Sequence, residues 1–490
     1  MDSSDILSTL NPEQRAAVTA ENAGSLLVLA GAGCGKTAVL TRRIVWLSRN
    51  GVKPERVCAL TFSRKAAEEM AHRLAGLDPS CGCALVTTFH AFALRVLKGE
   101  FEGVRNFNRL GFAGEARLLE TNERLQLLAQ SSSTAQRKVL RMGLMWLDSA
   151  IDLLLSFREK AAEKWGGAEL RVLEEIERDF AEARKSRGLW DFLDLLHGCL
   201  ELFGKYPQIA EHISGSYDAV LVDEFQDTNP TQIDILDALL KSGASLYAVG
   251  DDDQAIYGFR GADIRPIRNF TARFKDARIV KLQTNYRSVT PILDCANRLW
   301  RDKPAEYRKI LVSGLNPQPT GCRKPQKKRF GAWEEALDWA VYNAGCLCRK
   351  ENIPIPETAM LFRLNETLDS AAKYYNSKGI DENNRPQLLT IHASKGLEYP
   401  TVFLCDLEEG MFPNYRLPKE TKITSWAEFA AEIIKPKKVK PIDCDMDEEL
   451  RLFYVGVTRA RRFLYFVTVD NKPHRGRTTK FKPSRFLRLV

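Results

Sequence analysis

Two kinds of periodicity alternate along the first quarter of the chain. Short apolar runs, Leu26–Leu29, Val57–Leu60 and Ala84–Thr87, read as strands buried on both faces. Between them, apolar residues recur at helical spacing: Lys36–Asn50 places Leu40, Ile44 and Leu47 on one face, and Lys65–Leu74 follows the next strand. Gly51 stops the first of these helices. The alternation resumes at Ala219–Val222 and Leu246–Val249, so a parallel sheet is expected, with ligands at the carboxyl ends of its strands. The interval from about Phe101 to Leu200 has no clear strand and many helix formers, as in Ala168–Ala183, and reads as a helical insertion. From about Arg278 a second α/β set is expected, with strands at Met360–Arg363, Leu388–Ile391, Val402–Leu404 and Phe463–Val467. The expected division is therefore residues 1–95 with 202–277 as one lobe, 96–201 as its insertion, and 278–490 as a second lobe.

A length of 490 residues accommodates about three domains, each with its own core. With 44% apolar and 28% charged residues the composition is that of a globular protein rather than a disordered one. No apolar run approaches the ~20 residues of a membrane span, and the start MDSSDILSTL lacks a basic flank before an apolar stretch, so a cytoplasmic protein is expected. The C-x-C pairs Cys81/Cys83 and Cys346/Cys348 lack the spacing of structural zinc sites, and the odd count of 11 cysteines fits reduced thiols. The net charge of +9 suits a polyanionic partner, with basic residues gathered in Arg323–Arg329 and in the acid-free tail from Asn471. A solvated basic face explains such runs more often than not. Lys435–Lys440 with Pro436 and Pro441 reads as an exposed loop that could extend a nucleic-acid surface.

The chemistry enters with Ala30-Gly31-Ala32-Gly33-Cys34-Gly35-Lys36-Thr37, which follows a strand and opens a helix. Glycines let backbone N–H groups turn onto phosphates, and the helix start adds its positive dipole end. Lys36 is placed at the β/γ-phosphates of ATP and the Thr37 hydroxyl on Mg²⁺. Val220-Leu221-Val222-Asp223-Glu224 sets two acids at a strand end, Asp223 for Mg²⁺ and Glu224 for polarising the attacking water. Acids at strand ends are often only solvated; beside a phosphate loop the pair becomes informative.

Asp223-Glu224-Phe225-Gln226-Asp227-Thr228, with Gln232 after it, resembles the second motif of UvrD/Rep/PcrA-like superfamily 1A DNA helicases. Further runs are similar to that family in the same order: Leu10–Gln14, Thr61–Ala67, Thr88–His90, Asp191–Leu196, Val249–Ala262, Gln283–Ser288, Thr390–Tyr399 and Tyr454–Ala460. The resemblance implies two RecA-like lobes closing on ATP. It places Gln14 and Tyr286 at adenine, Glu398 at ribose, and Gln254 and Arg260 as γ-phosphate sensors. Arg287 and Arg459 would reach the γ-phosphate from the second lobe, as arginine fingers worth ~10³–10⁵ in rate do. For the strand it offers Phe62, Tyr257 and Phe259 as stacking faces, Phe259 standing where relatives carry tryptophan. Arg64, His90 and His392 are its phosphate or sugar contacts. One stack, ~1–3 kcal/mol, offsets about one melted duplex step of ~1.4 kcal/mol, so net movement must draw on ATP.

The family normally inserts a large 2B subdomain before the motif at Thr390; here Asp381-Glu382-Asn383-Asn384-Arg385-Pro386 stands in its place. The expected activity is that of an ATPase stimulated by single-stranded DNA, translocating 3′ to 5′ and separating strands or displacing proteins. Single strands, strand–duplex junctions and repair or replication proteins are its expected partners, with a monomer or weak self-association as its state. A pure translocase and an ATP-switched DNA clamp stay open beside it. A small-metabolite phosphotransferase has only the loop in its favour.

Overall fold

The protein, seen in a computed structural model, is described over residues 5–490 except 102, 104–105, 157–160, 163–164, 259–261, 275, 302, 305–306, 320, 415–445 and 475–476. Its strands in chain order are β1 (Ser25–Ala30), β2 (Val57–Thr61), β3 (Leu85–Thr88), β4 (Arg117–Leu118), β5 (Leu189–Trp190), β6 (Ala219–Val222), β7 (Ser245–Gly250), β8 (Arg278–Leu282), β9 (Thr284–Asn285), β10 (Val312–Ser313), β11 (Gln326–Ala332), β12 (Thr358–Phe362), β13 (Gln387–Thr390), β14 (Tyr399–Leu404), β15 (Ala460–His474) and β16 (Arg477–Lys480).

The first sheet is parallel, in the order β3-β2-β6-β7-β1-β8. Its central strands are buried on both faces, as their uninterrupted apolar runs require. Leu26, Val28 and Ala30 of β1 pack to one side and Leu27 and Leu29 to the other. Each such side chain contributes about 1.5–3 kcal/mol on burial. Register places Leu29 beside Gly250 and Val222 beside Ala248, so the carboxyl ends of β1, β6 and β7 stand next to one another. The loops that follow them converge there.

Two expectations are corrected. The second α/β set does not begin at Arg278: β8 pairs with β1 from Leu26–Arg278 to Ala30–Leu282, and its presence keeps β1 from being an unpaired edge. The helical interval also holds one strand pair, β4 with β5, too short for any periodicity to reveal. Among the described residues that interval otherwise carries helices joined by loops, including Thr121–Gln130, Leu144–Ser156 and Gly167–Ser186 around Leu128, Ile151, Leu173 and Phe180. The expected basic loop at 435–440 lies outside the described residues.

The second sheet runs β11-β15-β14-β12-β13, all parallel, with β16 antiparallel on β15. One apolar cluster joins the two lobes, from Val28, Val39 and Leu40 of the first to Leu361, Ile391, Leu404 and Val455 of the second. Residues Glu382–Asn384 form a single 3₁₀ turn, whose preceding Asp381 Oδ1 accepts from the N–H groups of Asn383 and Asn384 at 2.9 and 3.0 Å. That turn connects the helix Asn365–Ser377 to β13.

Candidate active site

Phosphate binding needs backbone N–H groups turned to one point, and left-handed residues turn them. Gly33 (φ 68°) and Gly35 (φ 84°) adopt that conformation between β1 and the helix Lys36–Arg49. A Cβ on Gly33 would stand 2.6 Å from Asn285 Nδ2, and one on Gly35 2.9 Å from Gln14 Nε2. The loop is clamped from outside. Asn285 Nδ2 donates to Ala32 O at 2.6 Å, and Tyr286 N–H donates to Gly33 O at 3.0 Å. Gln14 accepts from Asn11 N–H and donates its Nε2 to Cys34 O at 3.0 Å, so both ends of the amide are engaged within the protein. Gln14 thereby caps the helix Pro12–Val18 and holds the loop. Tyr286 is 43% exposed, and its hydroxyl accepts from Asn11 Nδ2 at 2.9 Å.

Lys36 Nζ lies 2.9 Å from Glu224 Oε2, to which Gln226 Nε2 also donates at 2.5 Å. Glu224 has φ 49°, a left-handed conformation that costs a non-glycine residue about 1–3 kcal/mol. Burial opposes charge on Glu224, yet Lys36 and Lys395 outweigh it and hold the acid down at about 2. Asp223, buried beside that fixed negative charge, is pushed up to about 7. Environment thus drives two adjacent carboxylates apart. Asp223 is a buried acid after β6, and Thr37 stands in the first turn of the helix after the loop; a carboxylate and a hydroxyl are the oxygen donors that Mg²⁺ takes.

The second lobe supplies cations. Arg459 is buried, and its Nη2 donates to Gln254 Oε1 at 3.1 Å while Nη1 and Nε hold Leu397 O and Val455 O. Gln254 is turned to it by donating Nε2 to Asp251 Oδ2 at 2.6 Å. Arg287 Nη1 donates to Thr458 O at 3.2 Å, and its Nε donates to Glu398 Oε2 at 2.5 Å. Glu398, expected at ribose, is here the partner of Arg287. Burial, and then Arg287 as a neighbouring like charge, lower Arg459 to about 9. The two guanidiniums stand near each other beside the first lobe, the charge of Arg287 being met by Glu398. Lys36, Glu224, Gln254, Arg287 and Arg459 therefore belong to one connected site.

Several residues of the site had no role in the sequence reading. Asp251, Asp252 and Asp253 are buried after β7, a grouping that by itself suggests a cation site. Their charge is met instead by ammonium groups: Lys309 Nζ lies 3.0, 2.7 and 2.9 Å from the three, and Lys303 pairs with Asp252 and Asp253. Lys303 and Lys309 stand in a stretch without any motif, and no local signal names a partner so far away in sequence. Lys395 lies inside a recognised run but had no role; its Nζ contacts Asp227 Oδ2 at 2.5 Å and Gln254 O at 2.9 Å.

On the neighbouring face Phe62 stacks on Tyr257, with ring centroids 5.4 Å apart and planes at 10°. They form one two-ring stack rather than two separate faces, and Lys395 Nζ lies 4.8 Å from the Tyr257 ring. Arg64 is exposed at the start of the helix Arg64–Leu77, which Ser63 caps by accepting from Ala66 N–H at 3.2 Å. His90 is half-buried, and burial lowers its imidazole, leaving it neutral near pH 7. Its ring meets Phe192 edge-on at 6.2 Å. Phe192, 61% exposed, was also missed; the available signal is an aromatic residue directly after the capping Asp191. His392 is half-buried in the turn after β13. Phe259 and Arg260 lie outside the described residues.

Comparison with known proteins bears on this geometry. Residues 10–275 match the UvrD/REP helicase N-terminal domain and residues 371–471 the UvrD-like helicase C-terminal domain. The chain is 30% identical to a probable DNA helicase of Mycoplasma pneumoniae, over 98% of this chain and 87% of that protein. It is 33% identical to the ATP-dependent DNA helicase PcrA of Bacillus subtilis, over 99% of this chain and 86% of that one. It is 35% identical to DNA helicase II of Escherichia coli, over 65% of this chain and 44% of the relative. No helix among the described residues is long and apolar enough to cross a membrane.

Proposed function

We propose that this chain, which belongs to the UvrD/REP helicase family and is thereby an ATP-dependent DNA helicase using Mg²⁺, is a cytoplasmic motor that moves 3′ to 5′ along single-stranded DNA. The contact of Arg459 with Gln254 across the lobes carries this reading. It puts a second-lobe cation in touch with a first-lobe residue of the nucleotide site, so cleft closure and hydrolysis are one event. Lys36, shared at 2.9 Å with Glu224, is drawn toward the β/γ-phosphates of ATP, and Glu224 is then turned to polarise water. Water attacks the γ-phosphorus, its proton passes to Glu224, and the ADP oxygen leaves. Arg287 and Arg459 meet the charge spread over the phosphoryl oxygens, as arginine fingers do. Thr37 and Asp223 would hold Mg²⁺, which would supply charge neutralisation at the phosphates. Tyr286 stacks on adenine.

The DNA strand lies along Phe62, Arg64, Tyr257, Phe259, His90 and His392, with exposed Phe192 beside His90. Bases stack on these rings at ~1–3 kcal/mol each. The lobes are residues 1–95 with 202–282, interrupted by the insertion 96–201, and 283–490.

A second reading, translocation without processive unwinding, is favoured by the single turn Glu382–Asn384 where the family carries 2B. The alignment to the Bacillus subtilis helicase, spread over 668 positions for a chain of 490 residues, supports a missing segment. Strand separation on a duplex with a 3′ or a 5′ single-stranded tail decides between them. Unwinding from the 3′ tail alone is expected of a helicase. Strand-length-dependent ATP hydrolysis without separation is expected of a pure translocase, and separation from the 5′ tail contradicts the polarity.

A further inference from the structure

We propose that the helix Met446–Val457 ties the nucleotide cleft to the strand-binding face, with Glu448 and Arg451 as its positioning residues. The helix lies alongside the loop 254–258 and grips it at successive points. Beyond its carboxyl end, Arg459 meets Gln254 at 3.1 Å. In its middle, Arg451 Nε donates to Ala255 O at 2.7 Å. At its start, Glu448 Oε1 accepts from Gly258 N–H at 3.1 Å. The approach is close, since a Cβ on Gly258 would stand 3.0 Å from Glu448 Oε2. Helix and loop therefore run in opposite directions in a fixed register.

That loop carries the two ends of the coupling. Gln254 faces the nucleotide site, while Tyr257 stacks on Phe62, and Phe259 and Arg260 follow Gly258 directly in sequence. The helix is bound to its own lobe by the next residue along: Glu449 takes Arg363 through Nη2 at 2.6 Å and Nε at 3.1 Å, and accepts from Asn414 N–H at 2.8 Å. Arg363 directly follows β12. Glu448 and Glu449 thus hold opposite lobes. The helix, roughly 13–14 Å long from Glu448 to Val457, with Arg459 two residues beyond it, carries any movement of Arg459 to Gly258. Because Arg451 and Glu448 hold backbone atoms, the motion moves the chain itself and not only a flexible side chain.

The inference rests on the reading of a strand-driven motor, and a wild-type control separates the two: a chain whose ATP hydrolysis no DNA strand stimulates sinks the motor reading before any variant is read. Full-length wild type, Glu448→Ala, Glu448→Gln and Arg451→Lys are compared for basal hydrolysis, ATP KM and hydrolysis stimulated by single-stranded DNA. Glu448→Ala is expected to lose at least about fivefold of the stimulated rate, with basal rate and KM within about twofold of wild type, the scale of coupling between sites. Glu448→Gln keeps an oxygen for Gly258 N–H and is expected to restore stimulation. Full stimulation in Glu448→Ala, equal loss of basal and stimulated rates, or no rescue by glutamine overturns the proposal. Arg451→Lys keeps the charge without the planar reach to Ala255 O, and answers where the alanine variant does not fold. Selective loss of stimulation there supports the proposal, and unchanged stimulation overturns it.

Discussion

Lys36 and Glu224 share one contact at 2.9 Å, and at the residue scale much of the site's electrostatics follows from it. The ammonium, with Lys395, keeps Glu224 ionised, and burial together with that negative charge raises Asp223 to about 7. Lys36→Ala removes both the phosphate contact and Glu224's partner. Turnover is expected to fall by at least about 10²-fold, the loss seen when one donor to developing charge is deleted, measured as phosphate release with saturating DNA. Arg459→Ala should separate chemistry from binding. Hydrolysis is expected to slow by about 10³-fold, while ATP affinity measured by fluorescent-nucleotide titration stays close to wild type. Equal losses in both would remove the finger role.

At the scale of elements, the phosphate loop keeps its shape through the turn after β9. Asn285 is fully buried, accepts from Arg287 N–H and Ser288 N–H at 2.8 and 2.7 Å, and donates to Ala32 O. Asn285→Ala leaves these groups unpaired, and is expected to cost about 1–3 kcal/mol of stability and to raise the KM for ATP. Thermal melting and ATP titration check the two effects, and an unchanged KM contradicts the clamp. A different element carries a pH signature. Glu408, after β14, sits at about 7 instead of 4.5, because burial outweighs the nearby Lys472, and its Oε2 has no hydrogen-bond partner among the described residues. An acid raised by folding contributes stability that is full below pH 4.5 and is lost as pH rises to about 7. That difference corresponds to roughly 3 kcal/mol. Glu408→Gln lacks this titration, so its urea stability should gain on wild type by about that amount between pH 4.5 and 7.5. A difference that does not change with pH would contradict it.

Legibility also sorts by scale. Ala219–Val222 was readable to the residue, because a run buried on both faces is apolar throughout. The phosphate loop and the acids after β6 were equally plain, since their chemistry depends on neighbours in sequence. What stayed hidden depends on partners distant in sequence. Glu398 pairs with Arg287, Gln14 turns inward to Cys34 O, and Lys303 and Lys309 answer three aspartates. β8 was assigned to the wrong lobe for the same reason, as a strand's periodicity does not say which sheet it joins.

For the whole molecule, two parallel sheets are joined by one apolar cluster, and Arg459 of the second lobe meets Gln254 of the first; the proposed motor works by closing this cleft. The ring of Tyr257, stacked on Phe62, lies one short loop away from Gln254, so the proposed strand and triphosphate contacts would share one segment. The most direct test is the rate of ATP hydrolysis by the full chain against the length of an added DNA single strand. A motor on a strand is expected to show stimulation that rises with strand length to a plateau. A rate that is the same with and without DNA at every length would contradict the account.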